Sequence, residues 1–409
     1  MSFTYKIPGA ILTEREHTVP LDHNASDSGT ITVFTRELAD PEGLSKPYLV
    51  YLQGGPGMEA RRPITPPIGW IKRALKDYRV LMLDQRGTGR STPVNSLLPG
   101  DTPQQQADYL ANFRADSIVR DAELIRQELG VDRWSILGQS FGGFCSLTYL
   151  SIAPHGLNEA FITGGLSPIG RPVDDVYSAT YRKMADKNRR YFERYPDDRK
   201  RVDDIVQRLE EEDVRLPGGD RLTARRFRQM GLWIGFSTGL ESLHHVLELP
   251  FGSNAFMFDA ELGAAHFERN PIYATLHEAC YADGGATNWS SSRLYPHDFE
   301  LNGWFTGEHI FPWMFDDYGA LRPHKEAAEL LAQRDWPRLY DADVLAHNEV
   351  PVAATIYVND PYVVEEFARE TAAAVHGLKP WITNEYEHNG LGLDGEKILG
   401  RLIDMVRGR

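Results

Sequence analysis

The segment Trp134-Ser-Ile-Leu-Gly-Gln-Ser140-Phe-Gly-Gly-Phe-Cys145 constrains this chain more than any other. Its first half is a short apolar run that reads as a buried strand, and its second half begins a helix. At the junction, Gly138-Gln-Ser140-Phe-Gly142 matches G-x-S-x-G. In that pattern the serine occupies a sharp strand-to-helix turn that lifts its hydroxyl above the sheet edge. The flanking glycines lack Cβ, so neighbouring backbone can pass close to the turn. The new helix aims its free N–H groups at the same point.

The surrounding chain supplies a matching alternation. Residues 1 to 40 read as an antiparallel β lead-in, with Thr30–Arg36 alternating at period two. Tyr48–Leu52 is an apolar strand running into Gln53-Gly-Gly-Pro-Gly57, and Arg79–Leu83 is a strand ending in Asp84-Gln-Arg-Gly-Thr-Gly-Arg-Ser91. A helix fits Asp116–Leu129 with Gly130 as its stop. Phe161–Gly165 is a further short strand. The pattern returns with a strand at Pro351–Val358, a helix at Val363–Val375, a strand at Trp381–Tyr386 and a helix at Lys397–Val406. Strands separated by helices predict an α/β fold with a mostly parallel sheet covered on both faces.

Between these two runs the alternation breaks. From about Tyr177 to Met230 the chain is charge-dense and helical, and aromatics crowd from Trp233 to Phe315. This reads as a helical cap insertion. The expected organisation is a catalytic domain in two parts, 1–170 and 321–409, with the cap at 171–320. Charge-dense helices are read as solvated faces, and their charges are given no catalytic role.

Bulk properties narrow the class. A net charge of −14 over 409 residues argues against nucleic acid as a partner. No run approaches membrane-spanning length, and the first residues lack an apolar signal region. Two cysteines, Cys145 and Cys280, make no disulfide framework, so a cytoplasmic protein is expected.

A serine hydroxyl needs a base to take its proton, and the base needs a third group to hold its tautomer. On such an elbow the acid and base follow the serine along the chain. Asp360 follows one late strand and His388, in Glu387-His-Asn-Gly390, follows the next. Asp360 also reads as a helix N-cap with Pro361 at the first helical position; Asp343 is the reserve acid. Backbone donors for an oxyanion are expected from Phe141 and from Gly54 or Gly55. Two motifs carry no metal or cofactor site. His277-Glu278-Ala-Cys-Tyr281 has tyrosine where a zinc helix needs its second histidine, and Gly87-Thr-Gly89 lacks the third glycine of a dinucleotide loop. No cofactor and no metal are expected.

Taken together, Gly54-Gly-Pro-Gly57, Asp84–Ser91 and Gly138-Gln-Ser-Phe-Gly-Gly143 resemble the prolyl aminopeptidases (proline iminopeptidases) of the α/β-hydrolase superfamily. Pro271–Tyr281, Phe305–Trp313 and Glu387–Gly392 resemble the long-chain branch of that family. The resemblance implies an α/β-hydrolase fold, a metal-free acyl-enzyme, and a small peptide with a free N-terminal proline as substrate. It also implies that cap glutamates receive the imino group, carried over here to Glu278 first and Glu308 second. Tyr281, with Trp304, Phe305 and Trp313, is expected around the proline ring. Gln53 stands where the family usually has histidine, and the loop Asn359-Asp-Pro-Tyr362 departs from the common wording. The alternatives are an esterase or amidase of the same fold acting on a small non-peptide substrate, and a non-catalytic binding protein. The cap acids discriminate against the first, and retention of Ser140 and His388 against the second.

Overall fold

The computed structural model describes residues 2–25, 27–264 and 266–409. Nine strands form one sheet: β1 (Ser2–Ile7), β2 (Ala10–Pro20), β3 (Thr30–Ala39), β4 (Tyr48–Leu52), β5 (Arg79–Asp84), β6 (Trp134–Gln139), β7 (Leu157–Thr163), β8 (Val352–Tyr357) and β9 (Leu378–Thr383). Their spatial order is β1-β2-β3-β5-β4-β6-β7-β8-β9. The lead-in strands and the β3–β5 pair are antiparallel, whereas β5, β4 and β6 to β9 run parallel. Every residue of β4 and of β8 is buried, as strands covered on both faces require. This is the α/β-hydrolase fold expected from the sequence.

Several boundaries differ from the sequence reading; β7, read as Phe161–Gly165, spans Leu157–Thr163. β9 begins at Leu378 rather than Trp381, because its first residues Leu-Lys-Pro have only one apolar position. Pro380 is tolerated there because β9 is the edge of the sheet. The last helix, read as Lys397–Val406, spans Gly390–Arg407 and starts two residues after His388, with a kink at Asp394. Two helices, Gly69–Ala74 and Pro103–Ala111, were not legible as elements in the sequence.

The segment between β7 and β8 contains no named strand among its described residues. Its first helices are Val173–Arg194, Asp198–Glu211 and Ala224–Arg228, followed by short turns of helix such as Pro271–Leu276 and Ser290–Arg293. The cap is fastened to the sheet's loops, not merely laid over them. A Cβ on Gly57 would lie 2.3 Å from Ile272 Cγ2 and 2.9 Å from Tyr273 N, so the loop after β4 packs directly on a cap helix.

The elbow explains why G-x-S-x-G is needed here. Ser140 has φ 54°, a left-handed value that costs a non-glycine residue free energy. A Cβ on Gly142 would sit 1.9 Å from the carbonyl oxygen of Leu52, the last residue of β4. Any side chain there forces the helix Phe141–Ile152 off the sheet. Gly142→Ala is therefore expected to lower unfolding stability by about 2–4 kcal/mol, read from the urea midpoint. A midpoint equal to wild type would contradict this close approach.

Candidate active site

The first element of the site is the serine itself. Ser140 N–H donates to Thr163 O at 3.0 Å, which ties the elbow to the end of β7. Phe141 opens the following helix, so its N–H has no carbonyl one turn back within that helix and is free to face a developing oxyanion. Opposite it runs the loop after β4. A Cβ on Gly54 would come within 3.0 Å of Ser140 Cβ, so Gly54 lets backbone lie against the serine.

A buried polar network holds that loop in place. Asp84 accepts from Ala60 N–H at 3.2 Å and from Arg90 N–H at 2.9 Å, and Gln85 Nε2 donates to Gln53 O at 3.0 Å. Burial pushes the Asp84 carboxyl up, opposed by the Arg90 N–H. Arg86, fully buried, makes a two-pronged pair with Asp121 at 2.6 Å each and donates to Leu21 O and Asn112 O. The Asp84–Ser91 motif is thus a brace for the oxyanion loop, not a second site. Gln53 lines the cavity, and its side-chain oxygen is buried without a hydrogen-bond partner.

The expected acid and base, Asp360 and His388, follow the ends of β8 and β9. His388 Nε2 lies 2.9 Å from Ser140 Oγ, and His388 Nδ1 lies 2.6 Å from Asp360 Oδ2. With Nδ1–H donating to the carboxylate, Nε2 is left to accept the serine proton. Asp360 is completely buried, and its other oxygen accepts from Tyr362 N–H at 2.8 Å and Val363 N–H at 3.0 Å. It does not cap a helix: the next helix starts at Glu365 with Val364 before it. Pro361 therefore closes a turn instead of opening that helix. Asp343, the reserve acid, lies in the first turn of the short helix Ala342–Ala346, far along the chain from His388 and exposed.

Burial works to lower the His388 pKa, but the Asp360 charge and hydrogen bond, with Glu308 beyond, outweigh it and hold the imidazole above its usual range. A base must be neutral to accept a proton, so activity rises as pH climbs through this raised value.

A cavity of about 630 Å³ opens over the triad. Its walls include Tyr51, Trp70, Phe236 and Tyr273, and its acids are Glu59 and Glu308. Glu59 is paired to Arg269, leaving Glu308 as the carboxylate that faces the serine's cavity with no arginine or lysine partner among the described residues. Tyr273 donates to Glu308 at 2.8 Å, and His277 Nε2 stands 3.7 Å away. Burial pushes Glu308 up, but His277, then His388 and the Tyr273 hydroxyl, together hold it below the usual carboxylate range. It is an anion at neutral pH.

Not every residue carried over from the resemblance reaches this cavity. Glu278 lies outside the wall. Its two oxygens accept from Ser290 N–H at 3.2 Å and Ser291 N–H at 2.8 Å, which ties it to the turn of helix Ser290–Arg293. Burial pushes its carboxyl up, against those N–H donors. Tyr281 is buried behind the wall, donating to Tyr362 O at 3.3 Å. Trp304, Phe305 and Trp313 pack within the cap, and the aromatic side chains that line the cavity are instead Tyr51, Trp70, Phe236 and Tyr273. Sequence reasoning missed Tyr273; the signal was available, because it lies one helical turn from His277 and so shares a face with it.

The elbow, the order of acid and base, and the sheet define an α/β hydrolase; a family model described as the alpha/beta hydrolase fold matches residues 47–261. A proline iminopeptidase of Aeromonas sobria is 50% identical, with 98% of each chain covered. One from Aspergillus aculeatus is 36% identical, covering 100% of this chain and 96% of its own. The chain belongs to the proline iminopeptidase family. The crystal structure of Mycobacterium smegmatis proline iminopeptidase shares the fold, with a TM-score of 0.50 at 16% identity over 96% of this chain and 98% of that one. Among the described residues no helix is long and apolar enough to cross a membrane.

Two outcomes test the geometry. Ser140→Ala is expected to lower kcat by about 10⁴-fold or more with the unfolding midpoint unchanged, and residual activity near a hundredth of wild type would remove Ser140 from its role. Cys145 and Cys280 are buried, lie off the cavity wall, and have their thiols pushed up by burial. A bulky thiol reagent is therefore expected to leave the folded enzyme active; rapid inactivation, abolished by Cys280→Ala, would show that the thiol is reachable.

Proposed function

We propose that this chain releases N-terminal proline from short peptides through an acyl-enzyme on Ser140. The observation that carries the reading is Glu308, an ionised carboxylate in the same cavity as the Ser140–His388 pair. A cationic imino group entering an apolar cavity needs an opposite charge, because an unpaired charge out of water is costly. Glu308 supplies it and sets the distance from the substrate's first nitrogen to Ser140. Tyr273 and His277 keep that carboxylate oriented and ionised. Glu278 then serves the cap itself, by holding the turn at Ser290 and Ser291.

In this reading His388 takes the Ser140 proton as Oγ attacks the prolyl carbonyl. The N–H of Phe141 and the backbone of Gly54 or Gly55 receive the oxyanion. His388 then protonates the leaving amine, and the C–N bond breaks. Water, deprotonated by the same imidazole, attacks the prolyl ester and frees proline. Asp360 holds the imidazole in the required tautomer throughout. A cavity of this volume falls within the usual range for small ligands, which suits a short peptide better than a folded chain.

Glu308→Gln keeps the shape and removes the charge. It is expected to cut kcat/KM for a free prolyl arylamide by about tenfold to a thousandfold, the loss of one charged hydrogen bond. Hydrolysis of a small neutral ester should stay within about threefold of wild type. Because Glu308 helps hold His388 charged, the acid limb of the ester profile should also move to lower pH. Equal losses on both substrates would make Glu308 structural. Efficient cleavage of an N-acylated prolyl amide by wild type would favour the esterase or amidase reading instead.

A further inference from the structure

The cap's first helix carries charges that the sequence reading assigned to solvent, and three of them are not spent that way. Lys183, Lys187 and Arg190 stand at i, i+4 and i+7 on helix Val173–Arg194, which places them on one face. Lys183 Nζ donates to Val358 O at 3.0 Å, and Arg190 donates to Asn359 Oδ1 at 3.3 Å. Both acceptors belong to the loop that presents Asp360. Lys187 Nζ pairs with Glu387, the residue before His388, at 2.5 Å, with side-chain exposures of 6% and 24%. One face of one cap helix therefore holds the acid loop at two points and the base loop at a third.

Two further cap contacts converge on the base loop. His388 N–H donates to Gly235 O at 3.2 Å, and Ser237 Oγ accepts from Glu387 N–H at 3.2 Å while meeting Asn389 Oδ1 at 3.0 Å. On the acid loop, the Tyr362 hydroxyl donates to Leu232 O. The Asp360 and His388 loops are thus held from the cap side as well as from the sheet. Both loops leave the sheet and are met by the cap on the side where β8 and β9 end.

The Lys187–Glu387 pair is the informative member. Burying an ion pair takes two charges out of water, and an apolar pair of similar volume is often as stable or more so. Burial lowers the Lys187 pKa and raises that of Glu387, and each one's charge opposes the effect on the other. Such a pair is weak evidence for net stability. The Asp360 charge also favours the charged ammonium, though less than Glu387 does.

We propose that Lys187, supported by Lys183 and Arg190, is a positioning residue that registers the cap against the Asp360 and His388 loops and so holds the triad in attacking geometry. The inference rests on the triad reading given above. It makes the cap part of the machinery for proton transfer as well as the wall of the substrate cavity. Misplacing reacting groups by about 1 Å can cost a hundredfold in rate.

The test separates positioning from folding and from substrate binding. Lys187→Met and the double variant Lys187→Met/Glu387→Gln are compared with wild type and with Lys200→Met, an exposed lysine on the next helix as control. Two quantities are measured: steady-state hydrolysis of a prolyl arylamide, and the rate at which a small alkyl fluorophosphonate labels Ser140. The double variant leaves no unpaired buried charge, so it is expected to keep a wild-type unfolding midpoint. Both quantities, kcat and labelling rate, should fall by about tenfold to a hundredfold, with KM changed by less than about threefold. Lys183→Met should move the same way by a smaller factor.

A folded double variant with wild-type labelling and wild-type kcat overturns the proposal, as does a loss confined to KM. Wild type that labels at Ser140 but cleaves no prolyl substrate would overturn the peptidase reading and leave this inference intact. Wild type that does not label would remove the triad on which it stands.

Discussion

The serine turn is the constraint on which the rest of this structure depends. Ser140 is held at φ 54° with a glycine two residues to either side, and Gly142 lies so close to Leu52 O that no Cβ fits. That contact fixes the distance between the ends of β4 and β6. Because the oxyanion loop leaves β4 one residue later, the same contact sets where Gly54 lies against the nucleophile. Strain at one residue is thereby converted into the placement of two functional segments.

The polar interior around the elbow serves the same end. Asp84, Gln85 and Arg86 are buried, and their partners are backbone groups, the Asp121 carboxylate and the His23 ring. A half-satisfied network of this kind would be worse than an apolar one, so it specifies one loop conformation sharply. The side-chain oxygens of Gln53, at the cavity wall, and of Gln85 are left without partners and are loose ends of the brace. Gln53 sits where the family usually carries histidine.

The cap contributes electrostatics of two opposite kinds. Toward the cavity it presents Glu308, kept ionised by His277, His388 and Tyr273. Toward the sheet's loops it presents the cations Lys183, Lys187 and Arg190. The loop of Glu308 is itself pinned by the same cap helix, since Asn188 exchanges hydrogen bonds with Phe305 at 2.8 and 2.9 Å and Thr180 meets His309 at 3.1 Å. Buried His309, its pKa lowered to about 3 by desolvation, stays neutral and stacks on Tyr181 at 3.9 Å. One helix thus contacts both the loop of Glu308 and the loops of Asp360 and His388.

What the sequence determined by itself was local. β4 was legible to the residue, and β5, β6 and β8 to within one, because a fully buried strand is a continuous apolar run. The elbow was legible because only glycines fit around it, Asp360 because it follows the buried β8, and His388 because it sits in a Gly-bounded loop after the last strand. β9 was blurred by the proline and lysine that an edge strand tolerates. Tertiary structure alone decided which cap groups face what. Glu278 and Glu308 have the same chemistry and similar surroundings in sequence, yet only Glu308 lines the cavity. The cap's helices there are short, Pro271–Leu276 and Ser290–Arg293 among them, so neither periodicity nor hydropathy marks their inward face. Lys187 looked like one more solvated charge, and its burial depends on Glu387, two hundred residues away along the chain. Which face of a helix turns inward is set by the surface it lands on, and that surface exists only after the sheet has formed.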